Sequence, residues 1–103
     1  MKYVMAWTSR LSGSSKENEE GLKRALQVFS KWEPPAGSTF HQFVGRLDAE
    51  GGFAVVETDN PADLLDGTAK FAPFNEFRIY PVVDMNDWAQ TAAAGVDYRG
   101  SIS

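Results

Sequence analysis

The residues best suited to acid–base chemistry in this chain are a single histidine and a few strand residues around it. His41 is the only histidine, and an imidazole titrates close enough to neutral pH to act as a general acid or base, or to ligate haem. It lies in a predicted strand between Phe40 and Phe43. A histidine beside aromatic side chains also serves as a purely structural hydrogen-bonding residue, so both roles stay open.

Glu57 is the second candidate, because it shares the strand alternation of Phe53 and Val55. If those neighbours are buried, the carboxylate must find a partner or shift its pKa. Arg46 and Arg78 are the expected partners. The alternative is an exposed Glu57 at the end of its strand. The candidate catalytic residues are therefore His41, Glu57, Arg46 and Arg78.

Aromatic side chains are the second feature with functional potential. The chain has three tryptophans and seven phenylalanines, which are suited to lining a pocket for an apolar or aromatic molecule. Trp7, Phe43 and Tyr80 are the candidate ligand-binding residues. The alternative is that aromatics form only the core and a subunit interface, where they are also common. Trp32, at helical spacing from Phe29, is predicted to be core.

Several chemistries lack the residues they need. The chain has no cysteine, which excludes a thiolate nucleophile, a disulfide and a zinc ribbon. One histidine and carboxylates without ligand spacing predict no metal site. Phosphate-binding glycine motifs and the Gly-x-Ser-x-Gly elbow are absent. We therefore expect no cofactor; haem would rest on His41 alone.

Length and charge narrow the class of protein further. The 103 residues correspond to one domain. The formal charge is −4 without a basic run, which disfavours nucleic acid as a partner. Neither a membrane-spanning apolar segment nor a signal peptide is recognisable. We expect a cytoplasmic protein with no membrane partner.

Seven predicted strands and helices must position the candidate catalytic and ligand-binding residues. The sequence predicts strands over 2–8, 39–47, 53–58 and 76–83, and helices over 15–32, from Asn60 to just before Pro73, and over 86–98. Ser14 and Glu17 form a capping box before the first helix, and Pro81 places the last strand at a sheet edge. The domain is expected to span 1–98, with a disordered tail over 99–103.

The element order β-α-β-β-α-β, with a C-terminal helix, is typical of a ferredoxin-like α+β fold with a four-stranded antiparallel sheet. Apolar residues occur at both parities in the first, third and fourth strands. The sheet would therefore have a second apolar face besides the one that the helices cover. Monomers rarely expose such a face, so we expect a homodimer that packs sheet against sheet.

Three segments also carry a family resemblance: the opening residues 1–8, the Pro34-Pro35-Ala36-Gly37 break, and the strand 52–58. They resemble an uncharacterised family of short microbial proteins, a domain of unknown function in the dimeric α+β barrel superfamily. The resemblance implies that fold and covers residues 1 to about 98. The wider superfamily includes cofactor-independent monooxygenases, haem-degrading enzymes, isomerases and cyclases, and many members hold a ligand between sheet and helices. The family brings no catalytic residues with it.

Three functional hypotheses follow from the sequence. The first is a homodimer that binds a small apolar or aromatic ligand in a pocket between sheet and helices. The second is a cofactor-independent monooxygenase, isomerase or cyclase, with His41 as acid or base and Arg46, Arg78 or Tyr80 polarising a substrate oxygen. The third is a structural or interaction dimer without a ligand.

Overall fold

The computed structural model describes residues 1–102 of the chain. Its strands are β1 (Lys2–Ser9), β2 (Thr39–Gly45), β3 (Gly51–Glu57) and β4 (Asn75–Val82), and its helices are α1 (Ser15–Lys31), α2 (Ala62–Phe71) and α3 (Met85–Ser101). The strands form one antiparallel sheet in the order β2-β3-β1-β4. This order and the βαββαβ connectivity confirm the predicted ferredoxin-like fold.

One face of the sheet carries the core. Tyr3 and Met5 of β1 lie opposite Val56 and Ala54 of β3, and all four side chains are buried together with Leu64 of α2. We call this the helix face. It is where the apolar contacts that stabilise the domain are concentrated.

Over residues 1–102, no helix packs on the other face of the sheet, which we call the open face. Its apolar side chains are Val4 and Ala6 of β1, Phe53 and Val55 of β3, Val44 of β2, and Tyr80 and Val82 of β4. Phe53 and Tyr80 expose 45% and 51% of their surface. The prediction that both faces are apolar is confirmed.

A β-bulge in β2 places its aromatic residues. The pairing with β3 shifts register between Phe40 and Gln42, so Phe40 lies opposite Val56 and Phe43 opposite Ala54. Simple alternation would send these two phenylalanines to opposite faces. The extra residue, His41, absorbs the shift, and both rings reach the helix face.

The helices begin where the sequence indicates. The Ser14 hydroxyl accepts a hydrogen bond from the Glu17 backbone N–H at 3.2 Å, and the Asn60 side-chain oxygen accepts one from Ala62 at 3.2 Å. Such caps satisfy the first, otherwise unpaired N–H groups of a helix. However, α1 has no buried residue, so it lies over the sheet without closing tightly onto it.

The C-terminal part differs from the prediction in one respect. β4 pairs only with β1, at the sheet edge that Pro81 predicts. α3 then continues to Ser101, through Gly95 and into the tail for which disorder was expected; Ser103 lies outside the described residues. Its length follows from regular backbone hydrogen bonding past Gly95, which weakens a helix without stopping it.

Candidate functional site

An open cavity of about 440 Å³ lies between the helix face of the sheet and the two helices α1 and α2. All four strands and both helices contribute to its lining. The principal apolar lining residues are Met5, Trp7, Leu22, Leu26, Phe29, Trp32, Phe40, Phe43, Ala54, Leu64, Phe71 and Phe77. Its volume is within the range of roughly 300–1,000 Å³ that is usual for small-molecule sites.

Aromatic rings in edge contact shape the wall of the cavity. The Trp7 and Phe43 centroids are 5.6 Å apart with planes at 76°, and Phe43 lies 5.2 Å from Phe40. Trp32 meets Phe71 at 5.6 Å and 87°. Aromatic pairs prefer such edge-to-face geometry, so the rings support one another around the cavity.

Gly52 makes room for the Trp7 ring. It lies opposite Trp7 in the β1–β3 ladder, and a Cβ atom at this position would overlap Cζ2 of Trp7 and the carbonyl oxygen of Val44. The carbonyl belongs to the backbone and cannot swing aside. A glycine at position 52 therefore lets the indole approach the backbone of β3 closely and line the cavity.

A hydrogen bond between side chains joins the end of α1 to α2. The Trp32 indole N–H donates to Oδ2 of Asp66 at 3.0 Å, and Lys70 pairs with Oδ1 of Asp66 at 2.7 Å. These two hydrogen bonds, that of Lys70 first, hold the pKa of the Asp66 carboxyl below its usual range. Trp32 is half-buried, so the residue predicted as core is a link between the helices at the cavity wall.

Few polar groups border the cavity, and the best placed of them are already paired. Asp63 accepts a hydrogen bond from the buried Thr58 hydroxyl at 2.9 Å, and the Ser38 hydroxyl donates to the Pro35 carbonyl at 2.7 Å. Their capacity for a bound molecule is reduced accordingly. The cavity is suited to recognition by shape and apolar contact.

The mouth of the cavity is wide. Leu22, Leu26 and Phe29 of α1 line it yet remain exposed, as does Phe43 of β2. Exposed apolar residues that converge on one concavity differ from scattered surface leucines, because together they form a continuous surface for a ligand.

The three candidate ligand-binding residues divide between the two faces of the sheet. Trp7 and Phe43 both line the cavity and touch each other. Tyr80 pairs with Val4 on β1 and belongs to the open face, where it cannot meet a molecule bound beside Trp7. The sequence could not separate them, because both strands have apolar residues at both parities.

The candidate catalytic residues lie away from the cavity. His41 Nε2 and Glu57 Oε1 are 2.7 Å apart at the end of the open face. Glu57 thus pairs with His41 and not with Arg46 or Arg78, the partners expected from the sequence. Arg46 instead pairs with Asp48 beside it in the hairpin turn, and Arg78 is exposed on the open face.

The hydrogen bond with His41 is the main reason that the pKa of Glu57 is lowered, with smaller contributions from the charges of His41 and Lys2. Lys2 itself pairs with Asp84 at 2.9 Å, which raises its pKa. His41 and Glu57 are 42% and 47% exposed, so water screens these interactions strongly. The pair is a surface dyad rather than an enclosed acid–base site.

Two kinds of feature are absent from the part of the chain that the structure describes. Over residues 1–102, no three histidine or carboxylate side chains converge as they would to bind a metal ion. None of the helices in that range combines the length and apolar character needed to cross a bilayer.

Fold and cavity together define a ferredoxin-like α+β domain with an open, aromatic-lined cavity between its sheet and its helices. The family model of a domain of unknown function (DUF3303) matches residues 1–96, and the chain belongs to that family. This confirms the resemblance that the sequence carried. Among curated proteins, no match is found.

Three solved structures to which the chain is similar have the word monooxygenase or oxygenase in their names. A putative antibiotic biosynthesis monooxygenase from Nitrosomonas europaea is 10% identical, with a TM-score of 0.39 over 82% of this chain and 100% of that one. Two structures of SnoaB, a cofactor-independent oxygenase from Streptomyces nogalater, one of them a variant, are 20% and 12% identical with TM-scores of 0.34. They cover 81% of this chain and 94% and 92% of their own. No residue role is carried over from proteins this distant.

Proposed function

We propose that this protein is a homodimer that binds a small apolar or aromatic molecule in the cavity between its sheet and its helices. The observation that carries the proposal is the cavity itself, about 440 Å³ of open space lined by aromatic rings and bordered by few polar groups. A domain that needed these aromatics only as core would bury them against one another. Here Phe29 and Phe43 remain exposed at the mouth.

The lining indicates the kind of ligand. Apolar contact and ring edges supply most of the binding free energy, and Asp63 and Ser38 already have partners within the chain. An anionic ligand would lose its hydration without a counter-charge in the wall, and the Asp63 carboxylate that could attract a cation already accepts a hydrogen bond from Thr58. A planar or polycyclic molecule with few polar groups is the class that fits.

The fluorescent probe N-phenyl-1-naphthylamine, which is aromatic and uncharged, tests the cavity. We expect its emission to rise on addition of the protein, and Phe43→Ala to weaken binding about tenfold through loss of edge contacts. Leu47→Ala is the matched control, because Leu47 is fully exposed in the hairpin turn. Absence of binding, or equal losses in the two variants, would overturn the cavity as the site.

The dimeric part of the proposal rests on the open face. Phe53, Val55 and Tyr80 form an apolar surface that no element of residues 1–102 covers, and sheet-to-sheet packing would bury it. Phe53→Arg should convert the dimer to monomer in a native mass spectrum while probe binding survives. A wild-type chain that is monomeric at micromolar concentration would contradict this part alone. The cytoplasm remains the proposed compartment.

A second candidate function is favoured by the 2.7 Å contact of His41 with Glu57. A carboxylate that orients an imidazole is a recurrent acid–base arrangement, and Arg78 and Tyr80 lie on the same open face. A cofactor-independent enzyme would then work at the dimer interface and not in the cavity. Once a substrate is found, His41→Ala should abolish turnover and leave the dimer intact; unchanged turnover would exclude this role.

A further inference from the structure

α3 stands apart from the rest of the domain. The radius of gyration is 18.1 Å and the longest dimension is 62 Å, whereas a compact chain of this length has a radius of gyration of about 13 Å. α3 follows β4 after only Val83 and Asp84, and it makes almost no contact with the other elements described over residues 1–102. It projects as an arm.

The sequence of α3 gives the helix little stability of its own. Most of the stability of a helix in a protein comes from the packing of one face and not from helix propensity, and α3 contains Gly95 and Gly100, each of which costs up to about 1 kcal/mol relative to alanine. Asp84 at its N-cap position makes no side-chain capping bond and pairs with Lys2 instead. A helix of 17 residues under these conditions needs a surface to pack on.

Four apolar residues of the arm lie on one side of the helix. At 100° per residue, Met85, Trp88, Ala92 and Val96 fall within one stripe. The same stripe also contains Arg99 near its C-terminal end, and the opposite side carries Asp87, Gln90, Ala94, Asp97 and Tyr98. Trp88 exposes 60% of its surface and Met85 72%, so residues 1–102 leave most of the two largest side chains of the stripe uncovered.

The open face alone is smaller than a standard dimer interface. Four strands about 4.8 Å apart and about 25 Å long present roughly 500 Å², whereas a standard interface buries about 800 Å² per partner. One side of α3, about 25 Å long and about 10 Å wide, supplies roughly 250 Å² more. Sheet face and arm together present roughly 750 Å², which is close to the area that a standard interface buries per partner.

We propose that α3 is an exchanged arm, whose apolar stripe of Met85, Trp88, Ala92 and Val96 packs against a second copy of this chain. The inference rests on the dimer of the proposed function and adds a second contact region to it. Reciprocal exchange covers both arms in one symmetric assembly. The dimer is then held by the two sheet faces and by both arms.

The absence of native cysteine makes a direct test possible. Ala92→Cys and Ala94→Cys place one thiol each on opposite sides of α3, and maleimide alkylation measures how far each thiol is covered. Rates in urea correct for intrinsic reactivity, and a native mass spectrum fixes the oligomeric state at each protein concentration. In the dimer, the Ala92→Cys thiol should react at least tenfold more slowly than the Ala94→Cys thiol, and dilution to monomer should reduce the difference to the smaller one expected from the half-buried position of Ala92 in the single chain.

Every other outcome would overturn the proposed exchange of α3, and the outcomes can be distinguished from one another. Equal alkylation rates in a proven dimer would mean that the two sheets pack together and that α3 takes no part in the interface. Slow reaction of Ala92→Cys at every concentration means that α3 folds back on its own chain. A protein that never dimerises overturns the arm and the dimer together, while probe binding tests the cavity separately. As a second readout, Ala92→Glu should weaken dimerisation tenfold or more, and Ala94→Glu should not.

Discussion

The indole N–H of Trp32 donates a hydrogen bond to Oδ2 of Asp66 at 3.0 Å, and this bond joins the end of α1 to the middle of α2. α1 buries none of its residues, so its position over the sheet depends on few contacts. The bond fixes the helix at the point where it forms part of the cavity wall. The cavity thus owes its shape to a small number of identifiable interactions.

Removing the acceptor should loosen α1. Asp66→Ala deletes the bond to Trp32, and a net loss of about 1 kcal/mol in the free energy of unfolding is expected, with faster amide exchange in the last turn of α1. Asp66→Asn retains an acceptor oxygen and should lose less. Urea unfolding and hydrogen exchange measure both effects. Equal stability of Asp66→Ala and the wild type would show that the bond does not hold the helix.

The pairing of His41 with Glu57 predicts that the pKa of Glu57 changes when His41 is replaced. His41→Ala removes the largest cause of the lowered Glu57 pKa, so that pKa should rise towards its ordinary value in a carboxyl-carbon NMR titration. Gln42→Ala, the neighbouring change on β2, is the control and should leave Glu57 unaffected. A Glu57 pKa that does not move in His41→Ala would mean that the two side chains are not bonded in solution.

The lowered pKa of Glu57 also makes the stability of the fold depend on pH. A carboxyl whose pKa is lower in the folded state stabilises the fold above its unfolded-state pKa, near 4, and the contribution is lost as pH falls through the folded-state value. In Glu57→Gln, the fall of stability between about pH 5 and pH 2 should therefore be shallower than in the wild type. Exposure of the pair keeps the effect small.

Gly52 and Gly45 provide a matched pair of substitutions. They face each other across β2 and β3, but a Cβ at Gly52 overlaps Trp7 and the Val44 carbonyl, whereas one at Gly45 meets nothing within 4 Å. Gly52→Ala should cost about 1–3 kcal/mol and change the tryptophan fluorescence, and Gly45→Ala should do neither. Comparable effects in both variants would show that Trp7 does not rely on Gly52 for its place.

Much of the fold could be predicted because local signals agree with the tertiary structure. Ser14 caps α1, Asn60 caps α2, and Pro81 lies in an edge strand, each as its residue type indicates. The resemblance of the opening residues to an uncharacterised family agrees with the family match over 1–96.

The site was less predictable, for reasons of geometry. Strand alternation assigns residues to two faces but does not say which face the helices cover, so Trp7 and Tyr80 had equal standing as pocket residues. The bulge at His41 is invisible to alternation, and it is what brings Phe43 beside Phe40. The Trp32–Asp66 bond joins residues far apart in sequence, and no local pattern signals it.

The most direct test of the central claim is to locate a bound molecule by intermolecular nuclear Overhauser effects. N-phenyl-1-naphthylamine is added to protein with labelled methyl groups, and contacts to the two sides of the sheet are compared. We predict contacts from the probe to the methyls of Met5, Leu26 and Leu64, which line the cavity. Contacts to Val4 and Val55 on the open face instead, or none in either set at saturating probe, would contradict a ligand site between the sheet and the helices.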